Sequence, residues 1–327
     1  MALPPADPLL AALSPPRAER LRERAGIEAD ETLVADFTGW SKLVFLAKDR
    51  ALLFPRNHEL VGAFRNELEA LRVVEAAGIR EIPRVLDVWD DPTLSPYPIA
   101  SITRVPGIPL EAVLGEIDAA ALGRISERLG LLAARWQTVD PGPLAQRPPR
   151  DLPHRTGLAD LLGTSQNPPA PGELLASLAP TLKIGSAFLQ RATAAIARAR
   201  TLDPVLVHSD IHEGQLLVDP GQGFAVTGVI DWQTAGVGHP FSEFDLGQWG
   251  PTLWREHRAE FPELRRRYWE TYAAARDLRG DLGADFEWIW SVSHALRLAD
   301  AAAADPRVLG SLDEALERVF EATLQLA

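Results

Sequence analysis

The sequence predicts a two-lobed α+β protein, with a small lobe of antiparallel strands and one helix over residues 1–104 and a larger, mainly helical lobe over 105–327. Three observations carry this expectation. Strand-like apolar runs broken by turns fill residues 33–54, and a helical repeat follows at once. From Leu110 the apolar spacing is helical, except for short strand-like runs between Val205 and Trp232. A chain of 327 residues is long enough for one large two-lobed domain or two domains. Its 46% hydrophobic and 24% charged content argues against disorder, collagen-like repeats and a coiled coil.

Each element has its own signal. Leu33 to Phe54 reads as strands interrupted at Gly39-Trp40-Ser41 and at Lys48-Asp49-Arg50. Glu59 to Ala77 spaces Leu60, Phe64, Leu68, Leu71 and Val74 three or four residues apart, and Gly78 stops the helix. Pro83–Val88 and Ile99–Val105 are further strands, the second closed by Pro106-Gly107. Ala119–Val139, Leu158–Leu162 and Gly172–Leu202 carry helical spacing. Pro141–Pro153 and Asn167–Gly172 read as proline-rich connections. Val205–Val207, Gln215–Val218 and Gly228–Ile230 are short apolar runs set between polar turns, and helices resume from about Phe241.

Composition excludes several chemistries. With no cysteine there is no disulfide, no thiolate-held zinc or iron–sulfur cluster and no thiol nucleophile. A net charge of −12 has the wrong sign for a protein that binds nucleic acid by neutralising phosphates. Met1–Pro16 lacks the basic end and apolar stretch of a secretion signal, and no run reaches about 18 apolar residues. A cytoplasmic protein outside the membrane is expected.

The polar residues of Val205–Asp219 gather on one loop between two apolar strands, placing His208, Asp210 and Gln215 together. Further along, Gly228-Val-Ile230 leads into Asp231. Two carboxylates and an amide suit phosphoryl transfer, which needs a carboxylate to receive the proton of an attacking hydroxyl and oxygen ligands for Mg²⁺ on the nucleotide phosphates. In the kinase loop the metal-binding amide follows the aspartate by five residues, the separation of Gln215 from Asp210. Asp231-Trp232-Gln233 then occupies the place of the metal-binding aspartate element.

These residues resemble the aminoglycoside and macrolide phosphotransferases, within the choline-kinase-like group of small-molecule kinases. The carboxy-terminal half carries most of the likeness, through His208–Leu217, Gly228–Ala235, Gly238-His-Pro240 and Glu243–Leu246. The amino-terminal half agrees in the order of its parts, and the likeness spans roughly residues 30 to 300. It implies a protein-kinase-like fold with ATP or GTP between the lobes. It also implies transfer of the γ-phosphate to a hydroxyl of a small molecule, with neither nucleic acid nor membrane as partner. Asp210 is similar to the catalytic base, with His208 bracing its loop, and Gln215 and Asp231 are similar to the Mg²⁺ ligands. Glu67 resembles the helix glutamate that pairs with a phosphate-holding lysine. Ile102, Thr103, Arg104 and Val105 resemble the hinge whose backbone receives adenine, and Asp245 resembles a carboxylate that supports the loop from behind.

Three positions depart from the pattern. Ser209 stands where glycine is usual, so the backbone there must accept a side chain. Gln215 replaces the commoner asparagine and reaches one methylene further. Leu53 occupies the usual lysine position, so Arg56, the nearest cation, is expected to hold phosphate and pair with Glu67, with Lys42 as the next candidate.

Plainer readings stand beside these. Asp210 and Asp231 could be turn-forming carboxylates, and Glu67 a solvated helix residue. His208-x-Asp210-x-His212 matches a metal-dependent hydrolase pattern, though no second histidine cluster supports it. Trp249, Trp254, Trp269, Trp288 and Trp290 could line a cleft or fill the core. Glu243, Asp277, Asp281, Asp285, Glu287 and Asp300 could receive a cationic acceptor or form solvated faces. The acceptor suggested first is an antibiotic, an aminoglycoside or macrolide, so that the enzyme would confer resistance. An amino-sugar, peptide antibiotic or choline-like metabolite comes second, and a nucleotide-binding pseudokinase without turnover is the third possibility.

Overall fold

In the computed structural model, residues 14–37, 39–147, 186–243 and 260–278 are described, together with 170, 172, 173, 285, 286 and 289. The first element, helix α1 (Pro15–Ala25), has no counterpart among the sequence expectations, because PPRAERLRERA is dominated by charge. It buries only Leu21 and Ala25, and Gly26 in the left-handed region (φ 64°) closes it.

Five antiparallel strands follow: β1 (Val34–Asp36), β2 (Lys42–Leu46), β3 (Arg50–Pro55), β4 (Val85–Trp89) and β5 (Ile99–Thr103), in the spatial order β1-β2-β3-β5-β4. Helix α2 (Val61–Ala76) connects β3 to β4. Alternation along the strands gives the sheet two faces. Leu43, Phe45, Leu52, Phe54 and Ile99 pack outward against Leu21 and Ala25 of α1. Ala51, Leu53, Ala100 and Ile102 pack inward, with Phe64, Leu68 and Leu71 of α2, and Val44 and Leu46 of β2 join them. The inter-strand register pairs Val44 with Leu53 and Lys42 with Pro55, so Lys42 lies on the inward side two residues from Val44.

After the two-residue strand β6 (Ile108–Pro109), the second lobe is built on α3 (Ala119–Trp136), α4 (Ser186–Ala199) and α5 (Phe261–Ala275). Asp118 caps α3 by accepting the Ala121 N–H at 2.6 Å, as a helix-starting Asp should. Two glycines inside α3 would weaken an isolated helix, yet close packing requires one of them: a Cβ at Gly130 would stand 2.5 Å from the Tyr268 carbonyl oxygen of α5. Between α4 and α5 lie β7 (Val205–Val207), β8 (Leu216–Asp219), β9 (Ala225–Val229) and β10 (Gly236–Gly238). β10 pairs with β7, while β8 sits between β6 and β9. These small sheets hold the 208–215 loop from both ends. Phe241, expected to begin a helix, lies in a single 3₁₀ turn, Pro240–Ser242. The expected helix 158–162 falls outside the described residues. Among the described residues, no helix is long and apolar enough to cross a membrane.

Candidate active site

The loop after β7 is fixed by its own buried polar groups. His208 is fully buried; its Nε2 donates to the Ile230 carbonyl at 2.9 Å, and its Nδ1 accepts the Asp210 N–H at 3.2 Å. The imidazole thereby sets the backbone at Asp210 against the strand that leads to Asp231. Both ring nitrogens of His208 are spent, and His212 Nδ1 accepts the Gly214 N–H at 3.0 Å, so both histidines shape the turn. Ser209 has φ 71°, a left-handed backbone that costs a side-chain-bearing residue about 1 kcal/mol. The strain expected from a non-glycine residue at this position is therefore present.

Support from behind comes from Glu243, with Asp245 outside the described residues. The Glu243 carboxylate is fully buried and accepts the Trp136 indole N–H at 2.8 Å, the His208 N–H at 2.9 Å and the Ser209 N–H at 3.4 Å. Burial pushes its pKa up to about 7, against the lowering effect of those donors. Glu243 is thus no part of an exposed acidic patch. Nor is Asp285, fully buried and held by the Arg198 guanidinium at 2.5 and 2.7 Å. Asp277 is exposed, and Asp281, Glu287 and Asp300 fall outside the described residues. Trp269 stacks on Phe286 at 4.6 Å in the core, while Trp249, Trp254, Trp288 and Trp290 are likewise outside.

Asp231, two residues past β9, stands in the left-handed region, φ 67° and ψ 59°. The Ile230 N–H donates to the Gln215 carbonyl at 3.0 Å, which brings Gln215 beside Asp231. The Gln215 side-chain oxygen is buried with no hydrogen-bond partner. An unsatisfied buried carbonyl oxygen is costly unless a ligand meets it. An amide oxygen of this kind is a donor that a hard cation such as Mg²⁺ takes.

The cation of the site is Lys42. Its ammonium donates to Glu67 at 2.6 Å and to Asp231 at 2.7 Å, joining β2, α2 and the segment after β9 across 189 residues of chain. Burial alone would lower the Lys42 pKa, but the Asp231 and Glu67 charges outweigh it and raise the value above normal. Burial holds Glu67 above its ordinary pKa despite the lysine. Asp231 is pushed upward by burial too, yet Lys42, His208 and His212 bring it below the usual carboxylate range. Lys42⁺ between ionised Glu67 and Asp231 would leave this cluster a formal charge of −1.

Arg56 does not pair with Glu67. Its Nη2 donates to the Phe37 and Gly39 carbonyls, both at 2.6 Å, and its backbone N–H to the Ser41 carbonyl at 2.9 Å, so it pins the β1–β2 turn. The chain direction explains the correction: Pro55 is opposite Lys42, and the next residue is carried past the turn, away from α2. Asn66, which sequence reasoning passed over, donates to the Gln233 and Ala235 carbonyls at 3.1 and 2.8 Å and ties α2 to the segment after Asp231. Its only signal was its place beside Glu67 on the helix.

At the expected hinge, Ile102 and Thr103 end β5. The Thr103 N–H donates to the Arg84 carbonyl and the Arg104 N–H to the Asp49 carbonyl, at 2.9 and 2.8 Å. The Arg104 guanidinium turns back to the Ala47 carbonyl at 2.8 Å. Val105 packs on Gly228, where a Cβ would come within 2.4 Å of its Cγ1.

Solved structures that resemble the chain include the GDP complex of wild-type aminoglycoside 2′-phosphotransferase-IIIa, at TM-score 0.55 and 14% identity, covering 94% of this chain and 97% of that one. Another is the ternary complex of APH(2″)-IIa with streptomycin and ATP, at TM-score 0.54 and 14% identity, covering 93% of this chain and 99% of that one. At such identity the likeness is one of fold, and that fold is the two-lobed kinase-like α+β arrangement. Among curated proteins no sequence matches. The model of the phosphotransferase enzyme family (APH) matches residues 32–282, more than half of the sequence, and takes in both the Lys42–Glu67 pair and the 208–231 segment. The chain therefore belongs to the phosphotransferase enzyme family.

Proposed function

We propose that the protein is a Mg²⁺-dependent kinase that moves the γ-phosphate of ATP or GTP to a hydroxyl group of a small molecule. The observation that carries this reading is the buried, unpartnered Gln215 side-chain oxygen on the loop that also carries Asp210, a loop whose Gln215 carbonyl accepts the N–H of Ile230, the residue before Asp231. Gln215 and Asp231 would hold the metal, which when bound neutralises charge on the nucleotide phosphates. Asp210 takes the proton of the acceptor hydroxyl as that oxygen bonds to the γ-phosphorus and the bond to the β-phosphate oxygen breaks toward the departing nucleoside diphosphate. His208 acts on Asp210 by positioning alone. The nucleotide lies between lobes that meet near residue 104, with adenine against backbone groups of Ile102–Val105 other than the engaged N–H groups of Thr103 and Arg104.

The acceptor we favour is an aminoglycoside or macrolide antibiotic, with resistance as the result. The kinase-like fold shared with aminoglycoside phosphotransferases and the net charge of −12 agree with a cationic acceptor. A metabolic acceptor, amino-sugar, choline-like or peptide-like, is the second reading. The pseudokinase reading, motivated by Leu53, Ser209 and Gln215, is the third, and the Lys42–Glu67 pair weighs against its Leu53 part.

The test is Mg²⁺-dependent consumption of ATP and GTP by the wild type and Asp210→Ala across aminoglycosides, macrolides, peptide antibiotics, amino-sugars and choline. Stimulation by one acceptor, lost in the variant, supports the reading and names the substrate class. Nucleotide binding with no turnover on any acceptor favours the pseudokinase, and no nucleotide binding defeats the reading.

A further inference from the structure

We propose that the nucleotide phosphates are held by Lys42 of β2, a cation moved sideways across the sheet from the β3 position that Leu53 now fills. In kinases the phosphate-holding lysine stands on the third strand and pairs with a glutamate of the following helix. Here the third-strand residue is apolar: Leu53 is 4% exposed and packs with Ala51, Ala100 and Ile102 against α2. The register sets Val44 opposite Leu53, and strand alternation places Lys42 on the same face as both. Lys42 is therefore one strand over and two residues along from Leu53, within reach of the same helix. The side chain uses that reach, with its ammonium 2.6 Å from Glu67 and 2.7 Å from Asp231. An ammonium has three N–H donors, and these carboxylates take two, leaving one for a phosphate oxygen.

The neighbouring cation is engaged elsewhere and helps indirectly. Arg56 holds the Phe37, Gly39 and Ser41 carbonyls, and Lys42 is the residue that follows Ser41. The turn that interrupts the strands at Gly39-Trp40-Ser41 thus runs straight into Lys42 and is clamped by Arg56. Arg56 is a positioning residue here, and Lys42 is the residue that meets the phosphates.

This inference rests on the kinase reading, and the experiment separates the two. Affinity for Mg·ATP and Mg·GTP is measured by titration calorimetry, without an acceptor, for the wild type, Lys42→Met, Lys42→Arg, Leu53→Lys and the double variant Lys42→Met/Leu53→Lys, each with a thermal melt. Lys42→Met should weaken binding by about 10- to 100-fold, the range expected for a lost charged hydrogen bond. Lys42→Arg should fall between it and the wild type. The double variant should recover most of the loss, because its lysine returns to the same face from β3. Wild-type affinity in folded Lys42→Met overturns the assignment of Lys42. A folded double variant that binds no better than Lys42→Met overturns the sideways move. A wild type that binds neither nucleotide defeats the kinase reading instead.

Discussion

The loop bearing Asp210 and the side chain of Lys42 both meet the segment Ile230-Asp231 but are held in opposite ways. The loop is fixed through its backbone: Glu243 takes the N–H groups of His208 and Ser209, Thr234 donates to the His208 carbonyl, and His208 takes the Asp210 N–H. Its functional side chains sit on scaffolding that outlasts the loss of any one contact. The Lys42 ammonium, by contrast, is held by two side chains, Glu67 and Asp231. Substitutions in the first region should therefore separate chemistry from binding, whereas substitutions around the second should move both.

The sharpest way to test that contrast is Asp210→Ala. Transfer should fall by about a thousandfold or more, the upper range for removing a general base, with Mg-nucleotide affinity within about twofold of wild type. Steady-state kinetics set beside calorimetry decide it, and a parallel fall in affinity would erase the distinction.

Glu243→Gln probes the scaffold itself. The folded protein raises this carboxyl from 4.5 to about 7, so between those values it binds the proton more tightly folded than unfolded. The stabilisation from this group is full below pH 4.5 and is lost as pH rises through 7, by about 3 kcal/mol in all. The substituted amide cannot titrate, so denaturant melts of the variant should lose this part of the pH dependence between pH 5 and 8. An unchanged pH slope would show that Glu243 is ionised throughout.

Gln215→Leu should raise the Mg²⁺ concentration needed for nucleotide binding about tenfold, while leaving the melting temperature equal or higher, because a costly unpartnered oxygen is removed. Unaltered Mg²⁺ dependence would withdraw Gln215 as a ligand. Smallest of all, Arg56→Ala should raise the nucleotide KM about three- to fivefold through a loosened turn, less than Lys42→Met does. An effect as large as that of Lys42→Met would make Arg56 a direct phosphate contact.

The same contrast explains what was legible in the sequence. His208, Asp210 and Gln215 lie on one short loop between apolar runs, and Asp231 ends the next such run, so linear spacing was enough to find them. The strands of the first lobe and helices α2 and α3 were legible because each buries a face large enough to set a period. Helix α1 was not, since Leu21 and Ala25 are all it buries among its arginines and glutamates. Lys42 was passed over in favour of Arg56 because the choice depends on cross-strand register, and Arg56 is closer to Leu53 only along the chain. Glu243 and Asp245 are two carboxylates two residues apart, and only the turn at Pro240–Ser242 shows that Glu243 points back under the loop.

A pleated sheet is a grid, and its inward face offers equivalent addresses on neighbouring strands. A lineage can lose a lysine from one address after gaining it at the next, passing through an intermediate that carries both and never losing the charge. A family pattern written as a string along β3 records such a change as the death of an enzyme. Written as occupancy of a face, with Val44 opposite Leu53 and Lys42 opposite Pro55, it finds a lysine on the neighbouring strand bonded to Glu67. Sequences dismissed as inactive for want of the third-strand lysine can be sorted again by asking whether the second strand presents one to the same glutamate.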